Sequence, residues 1–213
     1  TKAMGEFVIG PRQAIVVAGT HGKTTTSSMM AWVSEACELN AGYMIGGIPE
    51  NFSRSFRPAK GDWFVIEGDE YDTAFFDKVP KFIHYRPRHV ILTSVEFDHA
   101  DIYKDLNDVK KAFSRLMGLI PKDGTLVAYA DDPNVRELAR EAQCANKITY
   151  GLHAGDYRAV ERAMIEGRNH FCGEHRGQKI ADLALKQFGD HNTLNALAVY
   201  AMAHALNWPQ AKV

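Results

Sequence analysis

The stretch Ala14-Ile-Val-Val-Ala-Gly-Thr-His-Gly-Lys-Thr-Thr25 decides the fold of this chain. Its first five residues form a short apolar run, which is typical of a buried strand, and the residues from Lys23 to about Leu39 have a helical pattern. Gly19 and Gly22 lie between these two elements. Backbone N–H groups in such a glycine loop, together with the positive end of the following helix, bind phosphate. The stretch therefore predicts a nucleotide phosphate site.

The loop is a shortened variant of the common phosphate loop G-x-x-x-x-G-K-[ST]. The long form has glycine at position 17, and this chain has Val17 there. Lys23 and Thr24 still occupy the lysine and hydroxyl positions. From the chemistry of these two side chains we predict that Lys23 contacts the β- and γ-phosphates and that Thr24 binds Mg²⁺.

Three further apolar runs predict the rest of a sheet. They are unbroken rather than alternating, as is typical of strands covered by helices on both faces, and they lie at residues 63–66, 89–93 and 125–129. Apolar residues at helical spacing predict a helix over residues 105–119, ended by Pro121, and residues 133–143 have a similar pattern. Gly189-Asp190 is an N-terminal signal for a last helix over residues 191–207. The predicted fold class is α/β, with a mostly parallel P-loop-type sheet flanked by helices.

Residues 147–186 have a different character from the rest of the chain. They form short segments punctuated by glycines such as Gly155, Gly167 and Gly177, which are typical turn residues. This pattern predicts hairpins appended to the main sheet. We therefore expect a small antiparallel subsection in addition to the parallel strands.

Acidic side chains follow two of the predicted strands. The chain continues Glu67-Gly-Asp-Glu-Tyr-Asp72 after the second strand and Ser94-Val-Glu-Phe-Asp-His-Ala-Asp101 after the third. Ligands of open α/β sheets bind at the carboxyl ends of the strands, so these side chains are expected at one rim, where carboxylates suit Mg²⁺. His99 lies between Asp98 and Asp101, which would fix its tautomer, and it could bind a metal or a phosphoryl oxygen.

The composition indicates which classes of partner are excluded and in which cell compartment the protein is expected. The 213 residues are 46% hydrophobic, and 25 Lys and Arg against 26 Asp and Glu give a net charge of -1, so no basic field attracts nucleic acid. The three cysteines form no C-x-x-C pair, which favours a reducing cytoplasm. There is no apolar run of ~20 residues and no signal-peptide pattern at the start, so we expect a cytoplasmic protein without membrane contact.

Taken together, the motifs resemble those of the Mur ligase family, the ATP-dependent amide-forming enzymes of peptidoglycan synthesis. The resemblance lies in the glycine loop, in Glu67-Gly-Asp-Glu70 and Glu96-Phe-Asp-His99, and in the late Gly189-Asp-His-Asn-Thr-Leu-Asn195. It implies that residues 1–213 are the central ATP-binding domain of a three-domain enzyme. The amino-terminal sugar-nucleotide domain and the carboxyl-terminal domain of that enzyme would lie outside this sequence and act as its partners.

The resemblance also implies a role for each matching residue. Lys23 and His99 would be catalytic, and Thr24, Glu70 and His99 would hold Mg²⁺. Asn192 and Asn195 would face the adenine of ATP. The residues of the loop that would bind the phosphates are Gly19, Thr20, His21, Gly22, Lys23, Thr24 and Thr25. Several relatives hold a second metal with a carbamoylated lysine fifteen positions beyond the histidine, but this chain has Ser114 there, so we expect that device to be absent.

Within the family, the loop and the Glu-x-Asp-Glu pattern favour the branch that acts on UDP-N-acetylmuramate. Two kinds of member share this substrate: one adds L-alanine, and the other attaches the recycled tripeptide L-Ala-γ-D-Glu-meso-diaminopimelate. Three segments resemble the tripeptide-adding members: Ile45-Gly-Gly-Ile-Pro-Glu-Asn-Phe52, Tyr71-Asp-Thr-Ala-Phe-Phe-Asp-Lys78 and His84-Tyr-Arg-Pro-Arg88. The alanine-adding members have serine at the position of Tyr71.

The function implied is therefore ATP-dependent ligation of the tripeptide to UDP-N-acetylmuramate through an acyl phosphate, in peptidoglycan recycling. Addition of L-alanine to the same substrate is the first alternative. A nucleotide-binding regulatory module without ligase chemistry is a more remote one. Neither alternative changes the predicted loop or the predicted fold.

Overall fold

The structure is a computed structural model that describes residues 2–74, 77–98 and 100–213. The described part contains four α-helices, α1 (Lys23–Ala36), α2 (Leu106–Leu119), α3 (Pro133–Glu141) and α4 (Asp190–Ala205). Its strands are β1 (Gln13–Ala18), β2 (Gly42–Met44), β3 (Phe56–Arg57), β4 (Trp63–Gly68), β5 (Asp72–Ala74), β6 (Asp77–Pro80), β7 (Pro87–Leu92), β8 (Thr125–Tyr129), β9 (Asn146–Gly151), β10 (Tyr157–Ile165), β11 (Arg168–His175) and β12 (Gln178–Leu185). A π-helical segment (Met4–Ile9) and two short 3₁₀ helices (Lys81–Tyr85 and Gln210–Lys212) complete it.

Ten of these strands form one sheet, in the order β12-β11-β10-β9-β8-β7-β1-β4-β2-β3. The strands from β2 to β10 in this order pair in parallel, whereas β11 and β12 at one end and β3 at the other pair antiparallel to their neighbours. Strands β5 and β6 form a separate hairpin. The predicted α/β class, with a mostly parallel sheet and an antiparallel subsection, is confirmed.

One part of that prediction is wrong. We expected hairpins from residue 147 onward, but β9 pairs in parallel with β8. Among the strands β9 to β12, only the pairs β10–β11 and β11–β12 are antiparallel. The reason is α3, which connects β8 to β9. A helix between two neighbouring strands makes a crossover connection, and this places the second strand parallel to the first.

The central strands are buried on both faces, which explains their unbroken apolar runs. Along β1, Val16 lies in the core beneath α2 and α3 together with Phe113 and Leu138. Val17 lies in the core on the opposite face, together with Met30 of α1. Each fully buried side chain of this size stabilises the fold by roughly 1.5–3 kcal/mol. The same alternation fixes which side of the sheet each strand residue faces.

Aspartates fix the starts of two helices on one face of the sheet. The carboxylate of Asp105 accepts a hydrogen bond from the backbone N–H of Asp108 (3.0 Å) at the start of α2. At the start of α3, Asp132 accepts from Asn134 N (2.8 Å) and Val135 N (3.3 Å). These side chains satisfy N–H groups that have no partner within the helix.

The structure also describes the cysteines and the lengths of the helices. The three cysteines, Cys37, Cys144 and Cys172, are buried free thiols, and burial raises the pKa of each. No helix in the described ranges combines the length and apolar character needed to cross a membrane.

His89 on β7 makes the stability of the fold depend on pH. It is 3% exposed, its Nε2 lies 3.2 Å from Gln13 Oε1, and its ring is 5.7 Å from that of Trp63. Burial, and secondarily the positive charge of Arg88, lower the pKa of His89 to about 4. The unfolded chain takes up this proton near pH 6.5, so the contribution is complete above that pH and is lost as the pH falls toward 4.

We therefore expect the free energy of unfolding to fall by about 2 kcal/mol between pH 7 and pH 5 through this residue alone. The measurement is urea unfolding of the wild type and of His89→Gln at both pH values. The expected difference is a shallower pH dependence in the variant. His153→Gln, at an exposed histidine, is the matched control, and equal pH dependence in all three proteins would contradict the prediction.

Candidate functional site

The glycine loop connects β1 to α1 at the carboxyl edge of the sheet. Gly19 has φ of 135° and Gly22 has φ of 82°, a region that residues with side chains rarely adopt. A Cβ atom on Gly19 would lie 2.2 Å from Thr93 Oγ1, so there is also no space for a side chain. Because α1 begins at Lys23, its N-terminal N–H groups face the loop, which is the arrangement that binds anions.

The segment that follows β7 holds this loop in place. Thr20 N donates to Ser94 O (2.8 Å), and His21 N donates to Ser94 Oγ (3.0 Å). The Thr20 hydroxyl accepts from Glu96 N (2.9 Å) and donates to Glu96 O (3.2 Å). The ring of His21 is exposed, and its Nε2 lies 3.7 Å from Glu96 Oε2. The loop after β1 is therefore hydrogen-bonded to the segment after β7, which is one of the two acidic segments expected at this rim.

Lys23 bridges the loop and the acidic turn after β4. Its Nζ donates to Gly19 O (2.6 Å), Thr20 O (3.1 Å) and Glu70 Oε1 (2.9 Å). The side chains of Lys23 and Glu70 are only 14% and 3% exposed. Two charges buried to this extent are stable only when they are paired and hydrogen-bonded. All three ammonium protons have acceptors. A phosphate that binds Lys23 would therefore replace at least one of these acceptors.

Thr24 contacts Glu67 rather than Glu70. The Thr24 hydroxyl donates to Glu67 Oε1 (2.8 Å), and Glu67 Oε2 accepts from Gly46 N (2.8 Å). A hydroxyl and a carboxylate in contact at the start of a phosphate-loop helix are oxygen ligands of the kind that Mg²⁺ takes, together with phosphate and water. Within the described residues, no group of three His, Cys, Asp or Glu side chains could hold a metal ion on its own.

Negative charge converges on the rim around Tyr71. Burial raises the pKa of Tyr71, and the carboxylates of Asp101, Asp98, Asp69 and Glu70 raise it further. Carboxylates from the segment after β4 and from the segment after β7 therefore both lie close enough to Tyr71 to affect its ionisation. A concentration of carboxylates at the edge that carries the phosphate loop is compatible with a bound divalent cation.

The two asparagines near the start of α4 lie beside the loop but have different contacts. Asn195 is 7% exposed, and its Oδ1 would be 2.8 Å from a Cβ atom on Gly22. Asn192 donates from Nδ2 to Phe188 O (2.8 Å). Asn192 also lines a cleft of about 810 Å³ between α1, α4 and β12, together with Thr24 and Thr25. The cleft extends along α1 and includes residues 48–51.

The predicted site residues of the loop, Glu70 and both asparagines therefore surround one region of the structure. His99 lies outside the described residues, so its predicted role stays a prediction. Ser114, at the position where some relatives carry lysine, donates a hydrogen bond to Glu141 of α3. It thus faces the neighbouring helix.

Sequence analysis did not identify two further contributors to the site. Tyr103 donates from its hydroxyl to Glu70 O (2.7 Å), and burial together with the charge of Glu70 raises the pKa of Tyr103. Thr93, the last residue of a predicted strand, hydrogen-bonds the glycine loop. Tyr103 lies four residues after His99, the last residue of the motif Glu96-Phe-Asp-His99. This closeness to a predicted site motif is the feature of the sequence that could have indicated Tyr103. Nothing in the local sequence distinguishes Thr93 from an ordinary strand residue.

The fold and the site define an α/β domain of the phosphate-loop class. The sequence profile of the Mur ligase middle domain matches residues 17–203. This chain therefore belongs to the Mur ligase middle domain family.

Individual relatives carry two different names. A UDP-N-acetylmuramate--L-alanyl-gamma-D-glutamyl-meso-2,6-diaminoheptandioate ligase of Haemophilus influenzae is 38% identical over 93% of this chain and 43% of the relative. A UDP-N-acetylmuramate--L-alanine ligase of Clostridium botulinum is also 38% identical, over 96% of this chain and 43% of the relative. This chain thus spans less than half the length of these curated relatives.

A solved structure agrees with the fold. The crystal structure of UDP-N-acetylmuramate:L-alanyl-gamma-D-glutamyl-meso-diaminopimelate ligase from Neisseria meningitides has a TM-score of 0.87 and 38% sequence identity to this chain. The match covers 96% of this chain and 65% of that one. The helices and strands described above are therefore those of a Mur ligase middle domain.

Proposed function

We propose that residues 1–213 are the central ATP-binding domain of a three-domain ligase. The whole enzyme joins the tripeptide L-Ala-γ-D-Glu-meso-diaminopimelate to UDP-N-acetylmuramate, with ATP as the energy source. The observation that carries this proposal is the pair of contacts at one loop, Lys23 with Glu70 at 2.9 Å and Thr24 with Glu67 at 2.8 Å. They bring an ammonium group, a hydroxyl and two carboxylates to a helix start, as phosphoryl transfer requires.

Each predicted site residue has a role in this proposal. The loop from Gly19 to Thr25, which includes Thr20, His21 and Gly22, surrounds the phosphates. Its N–H groups from Gly22 to Thr25 bind them, while those of Thr20 and His21 hold the loop to Ser94. Lys23 contacts the transferring phosphoryl group, and Asn192 and Asn195 face the adenine. Thr24, Glu70 and His99 are the candidate ligands of Mg²⁺, and the contact of Glu67 with Thr24 adds Glu67 to that set. When bound, Mg²⁺ neutralises the charge of the phosphates.

The reaction begins with the lactyl carboxylate of UDP-N-acetylmuramate. One carboxylate oxygen attacks the γ-phosphorus of ATP and forms an O–P bond, the bond from that phosphorus to the β,γ-bridging oxygen breaks, and an acyl phosphate and ADP result. The alanine amine of the tripeptide then attacks the acyl carbon, the amide forms, a proton is released and inorganic phosphate leaves. Lys23 contributes by positioning and charge compensation, which supply most of the catalysis in phosphoryl transfer.

The choice of acceptor rests on segments of this chain and on its relatives. Residues 45–52, 71–78 and 84–88 resemble the tripeptide-adding members, and the ligases of this name in Haemophilus influenzae and Neisseria meningitides are each 38% identical. L-Alanine remains the alternative acceptor, because an L-alanine ligase of Clostridium botulinum is equally identical. We also propose that the enzyme works in the cytoplasm, on small molecules, without a nucleic acid or membrane partner.

The test is an acceptor comparison with the full-length protein. ADP release is measured with ATP, Mg²⁺ and UDP-N-acetylmuramate, together with either the tripeptide or free L-alanine. We expect turnover with the tripeptide to exceed turnover with L-alanine by at least about 100-fold, because a site built to hydrogen-bond polar groups of its substrate discriminates by this factor or more against an acceptor that lacks them. Preference for L-alanine would establish the alternative. ATP binding without turnover under either condition would indicate a regulatory module.

A further inference from the structure

Thr93 places a buried hydroxyl beneath the glycine loop. It directly follows β7 and is 6% exposed. Its backbone N–H donates to Ala18 O (3.0 Å), which continues the sheet by one bond beyond β7. Its hydroxyl lies 2.6 Å from His21 O and 3.2 Å from Ala18 O. A hydroxyl has one proton to donate, so the shorter contact, to His21, is the stronger hydrogen bond.

This hydrogen bond determines the orientation of one peptide group of the loop. In a planar trans peptide the C=O of one residue and the N–H of the next point in opposite directions. With the carbonyl of His21 held toward Thr93, the N–H of Gly22 points away from it. Gly22 immediately precedes α1, so this N–H belongs to the set at the helix start that can bind an anion.

Gly19 and Thr93 are complementary in shape. A Cβ atom on Gly19 would lie 2.2 Å from Thr93 Oγ1 and 2.8 Å from Ser94 N. The Thr93 hydroxyl therefore occupies the space that the absence of a side chain at Gly19 leaves. Because Gly19 has no side chain, the Thr93 hydroxyl can approach the loop closely enough to donate to the His21 carbonyl.

We propose that Thr93 is a positioning residue for the phosphate loop. Its hydroxyl holds the His21–Gly22 peptide with the carbonyl turned away from the phosphates and the N–H turned toward them. Phosphate would otherwise meet a carbonyl oxygen, which repels it, whenever this peptide rotated. The inference rests on the proposed function, because it assigns the loop to a nucleotide phosphate.

The test compares two substitutions at Thr93 in the full-length protein. Thr93→Val keeps the shape and removes the hydroxyl, whereas Thr93→Ser keeps the hydroxyl. Thr125→Val is the matched control, because Thr125 is also a buried threonine, 4% exposed, whose hydroxyl accepts a hydrogen bond from Asn146 Nδ2 (3.2 Å). Thr125 is the first residue of β8, so it lies at the amino-terminal end of the strands, away from the glycine loop. Calorimetry gives the Kd of ATP with Mg²⁺, and steady-state kinetics give kcat and the KM of each substrate.

For Thr93→Val we expect the Kd and KM of ATP to rise by about 10- to 100-fold and kcat to fall, with the KM of UDP-N-acetylmuramate unchanged, since a small misplacement of the phosphates suffices for losses of this size. Thr93→Ser should restore ATP binding to within about threefold of the wild type, because the serine hydroxyl can still donate the hydrogen bond to His21 O. Thr125→Val should lower the melting temperature without changing the Kd of ATP.

Two outcomes overturn the inference. If Thr93→Val binds ATP as tightly as Thr125→Val does, or if Thr93→Ser fails to restore binding, the hydroxyl has no positioning role. If Thr93→Val does not fold, Thr93→Ala takes its place, because it removes the hydroxyl without adding a methyl group. A wild-type protein that does not bind ATP at all would instead contradict the proposed function.

Discussion

Replacing Lys23 by alanine is expected to reduce amide formation by at least about 10³-fold, the size of effect seen when a charge-stabilising group is removed from a phosphoryl-transfer site. The glycine loop surrounds the ammonium group of Lys23, which donates hydrogen bonds to Gly19 O (2.6 Å) and Thr20 O (3.1 Å). It also pairs with Glu70, which is 3% exposed on its side chain. We therefore expect two causes of the lower rate in Lys23→Ala. The variant lacks the contact with the transferring phosphoryl group, and the buried carboxylate of Glu70 loses its ion pair, which disturbs the acidic turn.

ADP release by the full-length protein at saturating substrate concentrations measures this effect. Lys179→Ala is the matched control, because Lys179 pairs with Asp182 at the surface (2.8 Å) and both side chains are more than half exposed. Exposed pairs of this kind contribute little, so the control should retain wild-type turnover. Turnover of Lys23→Ala within tenfold of the wild type would contradict the role assigned to Lys23.

Replacing Gly19 by alanine should abolish nucleotide binding and destabilise the fold by about 2–4 kcal/mol. Two effects add: the φ of 135° is strained for any residue with a side chain, and the new Cβ atom would lie 2.2 Å from Thr93 Oγ1 and 2.8 Å from Ser94 N. The backbone atom of Ser94 belongs to the segment that holds the loop, so relief of the overlap would displace the loop itself.

Gly118→Ala is the control for this substitution. Gly118 lies near the end of α2, and a Cβ atom there would have no atom within 4 Å. Alanine at this position should stabilise the protein by about 0.5–1 kcal/mol, because glycine costs more backbone entropy in a helix. Urea unfolding of both variants gives the two free energies. Equal stability of Gly19→Ala and Gly118→Ala would show that the loop is not constrained as described.

Strands and helices could be predicted from the sequence where the apolar pattern and the turn residues fit a single type of secondary structure. The predicted strand from Ala14 to Ala18 is β1 within one residue, and both of its faces are buried, as the unbroken run indicates. The helices predicted over residues 105–119 and 133–143 are α2 and α3, each within about two residues at either end. In each case the physical cause lies within a few residues of the element that it determines.

Prediction failed where pairing depends on the connection rather than on the strand. The direction of β9 is set by α3, and the glycines after residue 150 suggested turns without showing which neighbour each strand pairs with. The short strands β2 and β3 and the π-helical segment Met4–Ile9 carry no periodic pattern long enough to identify them. Their formation depends on the strands and helices that they pack against.

For the site, the sequence identified the residue types but not all of the contacts. The predicted strand ends at residue 66, so both Glu67 and Glu70 were expected beyond it, and the resemblance assigned Mg²⁺ to Glu70. In the structure Glu67 lies within β4 and is the carboxylate in contact with Thr24. Strand alternation places Glu67 on the same face as Val65, which packs in the core with Met30 of α1. Glu67 therefore reaches Thr24 at the start of that helix, while Glu70, beyond the end of the strand, reaches Lys23.

In the proposed reaction, the γ-phosphoryl group of ATP is transferred to a carboxylate before the amide forms. This transfer can be tested with UDP-N-acetylmuramate labelled with ¹⁸O in both oxygens of its lactyl carboxylate, full-length protein, ATP, Mg²⁺ and the tripeptide. Mass spectrometry of the inorganic phosphate should find one ¹⁸O atom in each phosphate, with the other retained in the amide carbonyl. Ligation that releases unlabelled phosphate would contradict this account.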